Sequence, residues 1–131
     1  MDELLQRFTH AAAIDRNAAY GSLDGITEVH DPTCSPARVF FQDPSKALLV
    51  YVGDRQQLPT VGRSGVEAEL GPPEAVLACR AGKDYAQWVF PANGVAVAVS
   101  ADDLAFVEVF PPLTLKEYMQ TLYEDPGPFM R

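Results

Sequence analysis

The sequence predicts an α+β fold, in which an antiparallel sheet of about four to six strands packs against three helices. Three observations support this prediction. Apolar residues at helical spacing occupy residues 3–19, and a second helical segment before residue 71 ends at Gly71-Pro72-Pro73. Apolar runs divided by turn residues then fill residues 75–110. We therefore expect an N-terminal helix, a short middle helix, a meander of strands and a C-terminal helix.

The first third of the chain predicts one helix and one irregular segment. In residues 3–19 the apolar side chains share one broad helical face, namely Leu4, Leu5, Phe8, Ala11, Ala12 and Ala19. Glycines and X-Pro pairs interrupt any regular period between residues 20 and 38, which favours a loop. A hairpin follows, with strands over 39–41 and 47–52.

The remainder predicts a helix, four strands and a last helix within one domain of residues 1–131. Ser64 and Glu67 have the spacing of a capping box for the middle helix, over 65–70. Strands are expected at 75–80, 85–90, 95–100 and 104–110. Thr114 and Glu117 form a second capping-box spacing, and residues 125–131 are predicted to be a tail.

The meander poses a question of register around a carboxylate. A two-residue turn at Asn93-Gly94 gives one face that is predicted core, with Trp88, Phe90, Val95, Val97 and Val99. If Asp102-Asp103 is also a two-residue turn, Glu108 joins that core. If the turn is one residue longer, Glu108 moves to the opposite face. We favour the longer turn, because unpaired buried carboxylates are rarer than sheets with two apolar faces.

The longer turn leaves a second apolar face that needs cover. The C-terminal helix and a second copy of the chain in a two-fold dimer are both consistent with the pattern. We predict that this face mediates an interaction, through Ala96, Ala98, Leu104, Phe106 and Phe110.

Composition excludes several classes of partner. The chain has 18 acidic and 10 basic residues, a net charge of −8, which disfavours nucleic acid and anionic membrane surfaces. No run reaches the roughly 20 apolar residues of a membrane span. The acidic N-terminus differs from a secretory signal, which predicts a cytoplasmic location and reduced Cys34 and Cys79.

The sequence offers little catalytic chemistry. His30-Asp31-x-x-Cys34 lacks the paired cysteine or histidine spacing of a metal site, so we predict no metal and no cofactor. Cys34 has no close cationic neighbour to activate it, and a serine-nucleophile motif is absent from the sequence, so no catalytic residues are predicted. Glu108, His30 and Cys34 are candidate ionisable residues of a pocket between the sheet and the N-terminal helix. If they gather in one cleft, the chain is instead a small-molecule-binding domain or a small enzyme.

Residues 58–112 resemble a known module. The segment contains a glycine-initiated helix ending in Leu70-Gly71-Pro72-Pro73, then Trp88-x-Phe90, then Gly94-Val95-x-Val97-x-Val99. This order resembles modules related to the β-lactamase inhibitor protein and to the small lipoprotein subunit of the outer-membrane β-barrel assembly machinery. The resemblance implies a non-catalytic binding or scaffolding role. The two apolar sheet faces, the acidic composition and the lack of a catalytic constellation lead to the same prediction, a protein-binding module whose partner is another protein or a second copy of the chain.

Overall fold

One antiparallel sheet organises the part of the chain that the structure describes, a computed structural model covering residues 13–30, 37–43, 46–53 and 58–126. Two α-helices accompany it in these residues, α1 (Arg63–Leu70) and α2 (Leu115–Thr121). A short 3₁₀ helix, Pro91–Asn93, replaces the expected two-residue turn at Asn93-Gly94, so Trp88 pairs with Val97 and the two faces are unchanged. The strands are β1 (Ala13–Tyr20), β2 (Leu23–His30), β3 (Ala37–Asp43), β4 (Lys46–Val52), β5 (Ala75–Ala78), β6 (Ala86–Phe90), β7 (Val95–Val99) and β8 (Leu104–Val109). Their order is β1-β2-β3-β4-β8-β7-β6-β5, so each half of the sheet is a meander and the β4–β8 pair joins the halves.

The predicted fold class is wrong. Across the described ranges there are eight strands rather than four to six, and two α-helices rather than three. From Ala13 onward, β1 replaces the expected N-terminal helix, and β2 lies within the expected loop at 20–38. Residues 1–12, 31–36 and 127–131, on which parts of those predictions fall, lie outside the described residues. Neither helix in the described chain has the length and apolar content that a membrane crossing requires.

Pairing between β1 and β2 overrides the helical periodicity of the first segment. Ile14 pairs with Val29, and Tyr20 pairs with Leu23 across a turn at Gly21-Ser22. Gly25 has a φ of 63° and lies where the register shifts, so it marks a bulge inside a hairpin rather than a loop. Alanine favours helix by intrinsic propensity and is depleted in strands, so the alanine-rich segment indicates a helix, and tertiary pairing with β2 makes it a strand.

The Gly21-Ser22 turn docks on the end of α2. The Ser22 amide donates to the Thr121 carbonyl at 2.9 Å, and the Ser22 hydroxyl donates to the Gln120 carbonyl. These bonds satisfy carbonyls that the end of a helix leaves without intrahelical partners. Gly21 has a φ of 59°, and a Cβ there would overlap the Thr121 carbonyl oxygen, so the position requires glycine.

The two helices begin in different ways. At α2 the capping box is confirmed: Thr114 Oγ1 accepts from the Glu117 amide at 3.1 Å, and the Glu117 carboxylate accepts from the Thr114 amide at 3.0 Å. At α1 the predicted box of Ser64 and Glu67 is wrong, because the N-cap is Gly62 and no side chain caps it. A Cβ at Gly62 would overlap the Ala101 carbonyl oxygen, so close approach to the β7–β8 turn sets this helix start.

Both faces of the β6–β7–β8 region are buried. The first face packs against Val66 of α1 and contains Trp88, Phe90, Val97, Val99 and Leu104. The register has Ala98 opposite Phe106 and Ala96 opposite Glu108, as expected for the longer turn. The register shifts next to Ala98, so Leu104 pairs with Val99 and returns to the Trp88 face. Glu108 and Phe106 therefore share the second face, on the α2 side.

Candidate functional site

A fully buried carboxylate lies at the centre of the second face. Glu108 is 0% exposed and sits in β8 between Tyr51 of β4 and Ala96 of β7. Its carboxylate accepts hydrogen bonds from two phenols, the Tyr118 hydroxyl at 2.5 Å and the Tyr20 hydroxyl. Glu108 thus links the first strand of the sheet to the last helix. The longer turn keeps it away from Trp88 but not out of the interior, because α2 and β1 cover the second face too.

Polar groups on both sides extend the Tyr118–Glu108–Tyr20 contact into a longer hydrogen-bonded network. The Gln87 amide nitrogen donates to the Tyr118 hydroxyl, which donates to Glu108. On the other side, Arg80 Nη2 donates to the Tyr20 hydroxyl at 2.8 Å and lies 3.8 Å from a Glu108 carboxylate oxygen. The five groups form one continuous network, from buried Gln87 to partly exposed Arg80.

Burial controls the protonation of this network. Loss of solvation raises the pKa of Glu108 above its ordinary value, while hydrogen bonds from Tyr118 and Tyr20 and the charge of Arg80 oppose that rise. Burial and the nearby Glu108 charge raise the pKa of both phenols, which keeps them protonated as donors. The acid form of Glu108 is therefore favoured at a higher pH than in water.

Gln87 can adjust to a protonated Glu108 by rotation of its side-chain amide. Its side-chain oxygen is buried and has no hydrogen-bond partner within the described structure. A half-turn of the amide places this oxygen where it accepts from the Tyr118 hydroxyl. Tyr118 then accepts from a protonated Glu108, so the direction of this half of the network reverses. The arrangement can take up a proton without a movement of the backbone.

Arg80 carries the network to the surface. Its guanidinium lies 4.5 Å from the ring centroid of Phe106, 5.1 Å from that of Tyr20 and 5.8 Å from that of Tyr51. The side chain is 22% exposed, and its Nε lies 3.9 Å from a carboxylate oxygen of Glu124, a residue 56% exposed. Three aromatic rings therefore hold the cation in place at the protein surface.

A second arginine, Arg38, contacts Tyr51, one of the three rings around Arg80. Arg38 forms a bidentate ion pair with Glu28, at 2.7 Å from Nε and 2.9 Å from Nη2. Its guanidinium lies 5.6 Å from the Phe40 ring centroid and 5.8 Å from that of Tyr51. Arg38 and Arg80 both lie 5.8 Å from the Tyr51 centroid, so the two cations contact the same ring.

These groups surround a cleft, which we call the two-arginine cleft. It has a volume of about 210 Å³. The lining comes from β1, the following turn, β3, β4 and the segments after β5 and α2, and consists of Ala19, Tyr20, Gly21, Arg38, Phe40, Tyr51, Arg80 and Glu124. The cleft combines cations and aromatic rings, an arrangement suited to an anionic group attached to an apolar stem.

The sequence-predicted pocket residues are only partly brought together. Glu108 lies beneath the two-arginine cleft, connected to it through Tyr20 and Arg80. His30 pairs with Arg38 across β2 and β3, but it is not among the lining residues that the structure describes. Cys34 lies outside the described residues. In the described parts of the chain, no three His, Cys, Asp or Glu side chains form a group that could hold a metal ion.

The predicted interaction face is interior. All five side chains are at most 5% exposed, which leaves no surface for a second molecule: Ala96 0%, Ala98 0%, Leu104 5%, Phe106 3% and Phe110 5%. Tyr118 and Leu122 at α2 pack in the same cluster as Ala96 and Phe110, whereas Leu104 lies on the opposite face. The C-terminal helix, rather than a second copy of the chain, therefore covers the second face in the structure.

Sequence reasoning missed the residues that define the cleft. Tyr20 followed the expected helix, Arg38 ended an expected loop, and Tyr51 was one apolar position of a strand. The usable signal was Arg80, a charge that directly follows the apolar run of 75–79. Nothing in the local pattern indicates that Tyr20 and Glu108, 88 residues apart, touch.

The chain matches no protein-family model, no curated protein and no solved structure. The resemblance of residues 58–112 to the β-lactamase-inhibitor-protein type of module therefore stays a prediction.

Proposed function

We propose that the protein is a non-catalytic binding module that captures one anionic group of a partner protein in the two-arginine cleft. The observation that carries this proposal is the placement of Arg38 and Arg80 around Tyr51 in a chain of net charge −8. Only 10 residues of the chain are basic, so two that share one small aromatic cleft concentrate anion-binding guanidinium groups at one place on an acidic protein.

The chemistry of the lining favours binding over catalysis. The lining residues that the structure describes supply cations, aromatic rings and the Glu124 carboxylate, but no Ser, Cys or His side chain. Glu108, the group with the raised pKa, is 0% exposed, and both its oxygens accept phenolic hydrogen bonds. It therefore lacks the direct reach that a general acid or base needs.

The size of the cleft favours a protein partner over a free metabolite. Pockets for drug-sized ligands span roughly 300–1,000 Å³, whereas this cleft has about 210 Å³. A volume of this size suits one side chain or one chain end, with the rest of the partner lying outside. The small-molecule alternative applies only to a compound that fills about the same space.

The test compares three baits in affinity purification with quantitative mass spectrometry. Arg38→Gln removes one cleft cation at a side chain that is 44% exposed, and because it also breaks the ion pair with Glu28, a thermal melt must first show that the variant is folded. Arg63→Gln makes the same charge change at an exposed position of α1 and is the matched control. We expect at least one protein to be enriched by the wild type and by Arg63→Gln but lost with Arg38→Gln. The absence of any protein with that pattern would contradict the proposal.

A further inference from the structure

We infer that the group captured by the two-arginine cleft is a carboxylate, and that it replaces Glu124 beside Arg80. This inference rests on the proposed function and specifies its ligand. The chain's own carboxylates already act as partners of both arginines, with Glu28 on Arg38 and Glu124 on Arg80.

The Glu124 contact is the replaceable one. Its oxygen lies 3.9 Å from Arg80 Nε, which is too long for a hydrogen bond, and the side chain is 56% exposed. Exposed ion pairs of this kind contribute little to stability. In contrast, Arg38 and Glu28 form two short hydrogen bonds, and Glu28 is only 17% exposed. An incoming anion therefore displaces Glu124 at a lower cost than Glu28.

The charge balance around the cleft favours a monoanion. Arg38 and Arg80 lie among Glu28, Glu108 and Glu124, so the two cations already have acidic neighbours. Exchange of Glu124 for another carboxylate conserves the local charge. A phosphate group with nearly two negative charges adds repulsion from Glu28, in a chain of net charge −8. A cationic ligand would meet two guanidinium groups.

The shape of the site matches a carboxylate on an apolar stem. Arg80 is held in place by Phe106, Tyr20 and Tyr51, so little side-chain freedom is lost when a planar anion binds its edge. The rings of Phe40 and Tyr51 line the same cleft and can cover the carbon atoms that carry the carboxylate.

The experiment titrates isotope-labelled protein and follows the side-chain Nε–H signals of Arg38 and Arg80 by NMR. The probes are 3-phenylpropanoate, its neutral amide and inorganic phosphate, at constant ionic strength. We expect the carboxylate to shift the Arg80 signal, the amide to leave it unchanged and phosphate to bind more weakly. Binding of the amide with equal affinity, tighter binding of phosphate, or no carboxylate shift at Arg80 would overturn the inference.

Two variants separate local competition from net charge. Glu124→Gln removes the resident competitor and should strengthen carboxylate binding about two- to fivefold. Glu69→Gln makes the same charge change at an exposed position of α1 and should leave the affinity unchanged. Equal strengthening by both variants would show that net charge, rather than displacement of Glu124, controls the affinity. No strengthening by Glu124→Gln would show that Glu124 does not compete for Arg80. Either result contradicts the displacement of Glu124.

Three peptides identify the source of the carboxylate. One ends in a free α-carboxylate, the second is its C-terminal amide, and the third is the amide with one internal Asp. Shifts with the first alone assign a chain end, and shifts with the third assign a side chain. If only 3-phenylpropanoate binds, the ligand is a free acid and the protein-partner proposal fails. If no carboxylate binds but Arg38→Gln still loses a partner protein, the proposed function stands and the ligand class is wrong.

Discussion

Tyr118→Phe removes a single oxygen from the centre of the buried network. The ring remains to pack against Phe110, at a centroid separation of 5.3 Å, so the packing loss is small. The Glu108 carboxylate loses the hydrogen bond that the Tyr118 hydroxyl donates, worth about 1.5–3 kcal/mol. The buried Gln87 nitrogen loses its acceptor, which costs about 1–3 kcal/mol. We expect a total destabilisation of about 3–5 kcal/mol, a large part of the roughly 5–15 kcal/mol that holds a domain together.

Urea denaturation followed through Trp88 fluorescence measures this cost, because Trp88 is the single tryptophan of the chain. Tyr123→Phe is the matched control: its hydroxyl donates to the Ala78 carbonyl at 2.7 Å in a partly buried, uncharged contact, worth about 0.5–1.5 kcal/mol. Equal costs for the two variants would refute the inference that Glu108 depends on Tyr118.

Three further outcomes follow from burial and charge. Trp88→Ala should cost about 3–5 kcal/mol, since the ring is 8% exposed in the core beneath α1, and a thermal melt within a few degrees of the wild type would contradict this. Cys79 is 1% exposed and burial raises the pKa of its thiol, so a thiol reagent should modify it only after unfolding; rapid modification of the native protein would count against that placement. Burial raises the pKa of Glu108 above 4.5, so above that pH the folded state binds more protons than the unfolded state. The stability of the wild type relative to Glu108→Gln should therefore fall as the pH rises from 4.5. A stability difference that stays constant between pH 4.5 and 8 would exclude this shift.

Some patterns confined to neighbouring residues were predicted correctly, although the Ser64–Glu67 capping box was not. The Thr114–Glu117 capping box and the strands after residue 75 follow from spacing and turn residues, and they appear close to the expected positions. The position of Glu108 on the second face also followed, because a one-residue change in register exchanges the two faces. In each case the signal lies within a few residues of the feature it specifies.

Features that depend on distant residues were not predictable. The pairing of β1 with β2 makes a strand of a segment whose alanines favour helix. The burial of Glu108 follows from phenols on β1 and α2, which the sequence does not place beside it. Arg38 pairs with Tyr51 across β3 and β4, but Arg80 follows β5, which is four places from β4 in the sheet, so its approach to Tyr51 depends on the three-dimensional packing.

The docking of the Gly21-Ser22 turn on the end of α2 has a consequence for the order of folding. The β1–β2 hairpin supplies donors to α2, with Ser22 and Thr121 lying 99 residues apart, and the β4–β8 pair brings Val50 to Val109. Contacts between such distant positions require closure of long loops before any of their free energy is gained. We therefore expect the sheet to assemble only after β8 and α2 have left the ribosome. Until then, β4 presents an unpaired edge, and the nascent hairpins depend on protection from other chains.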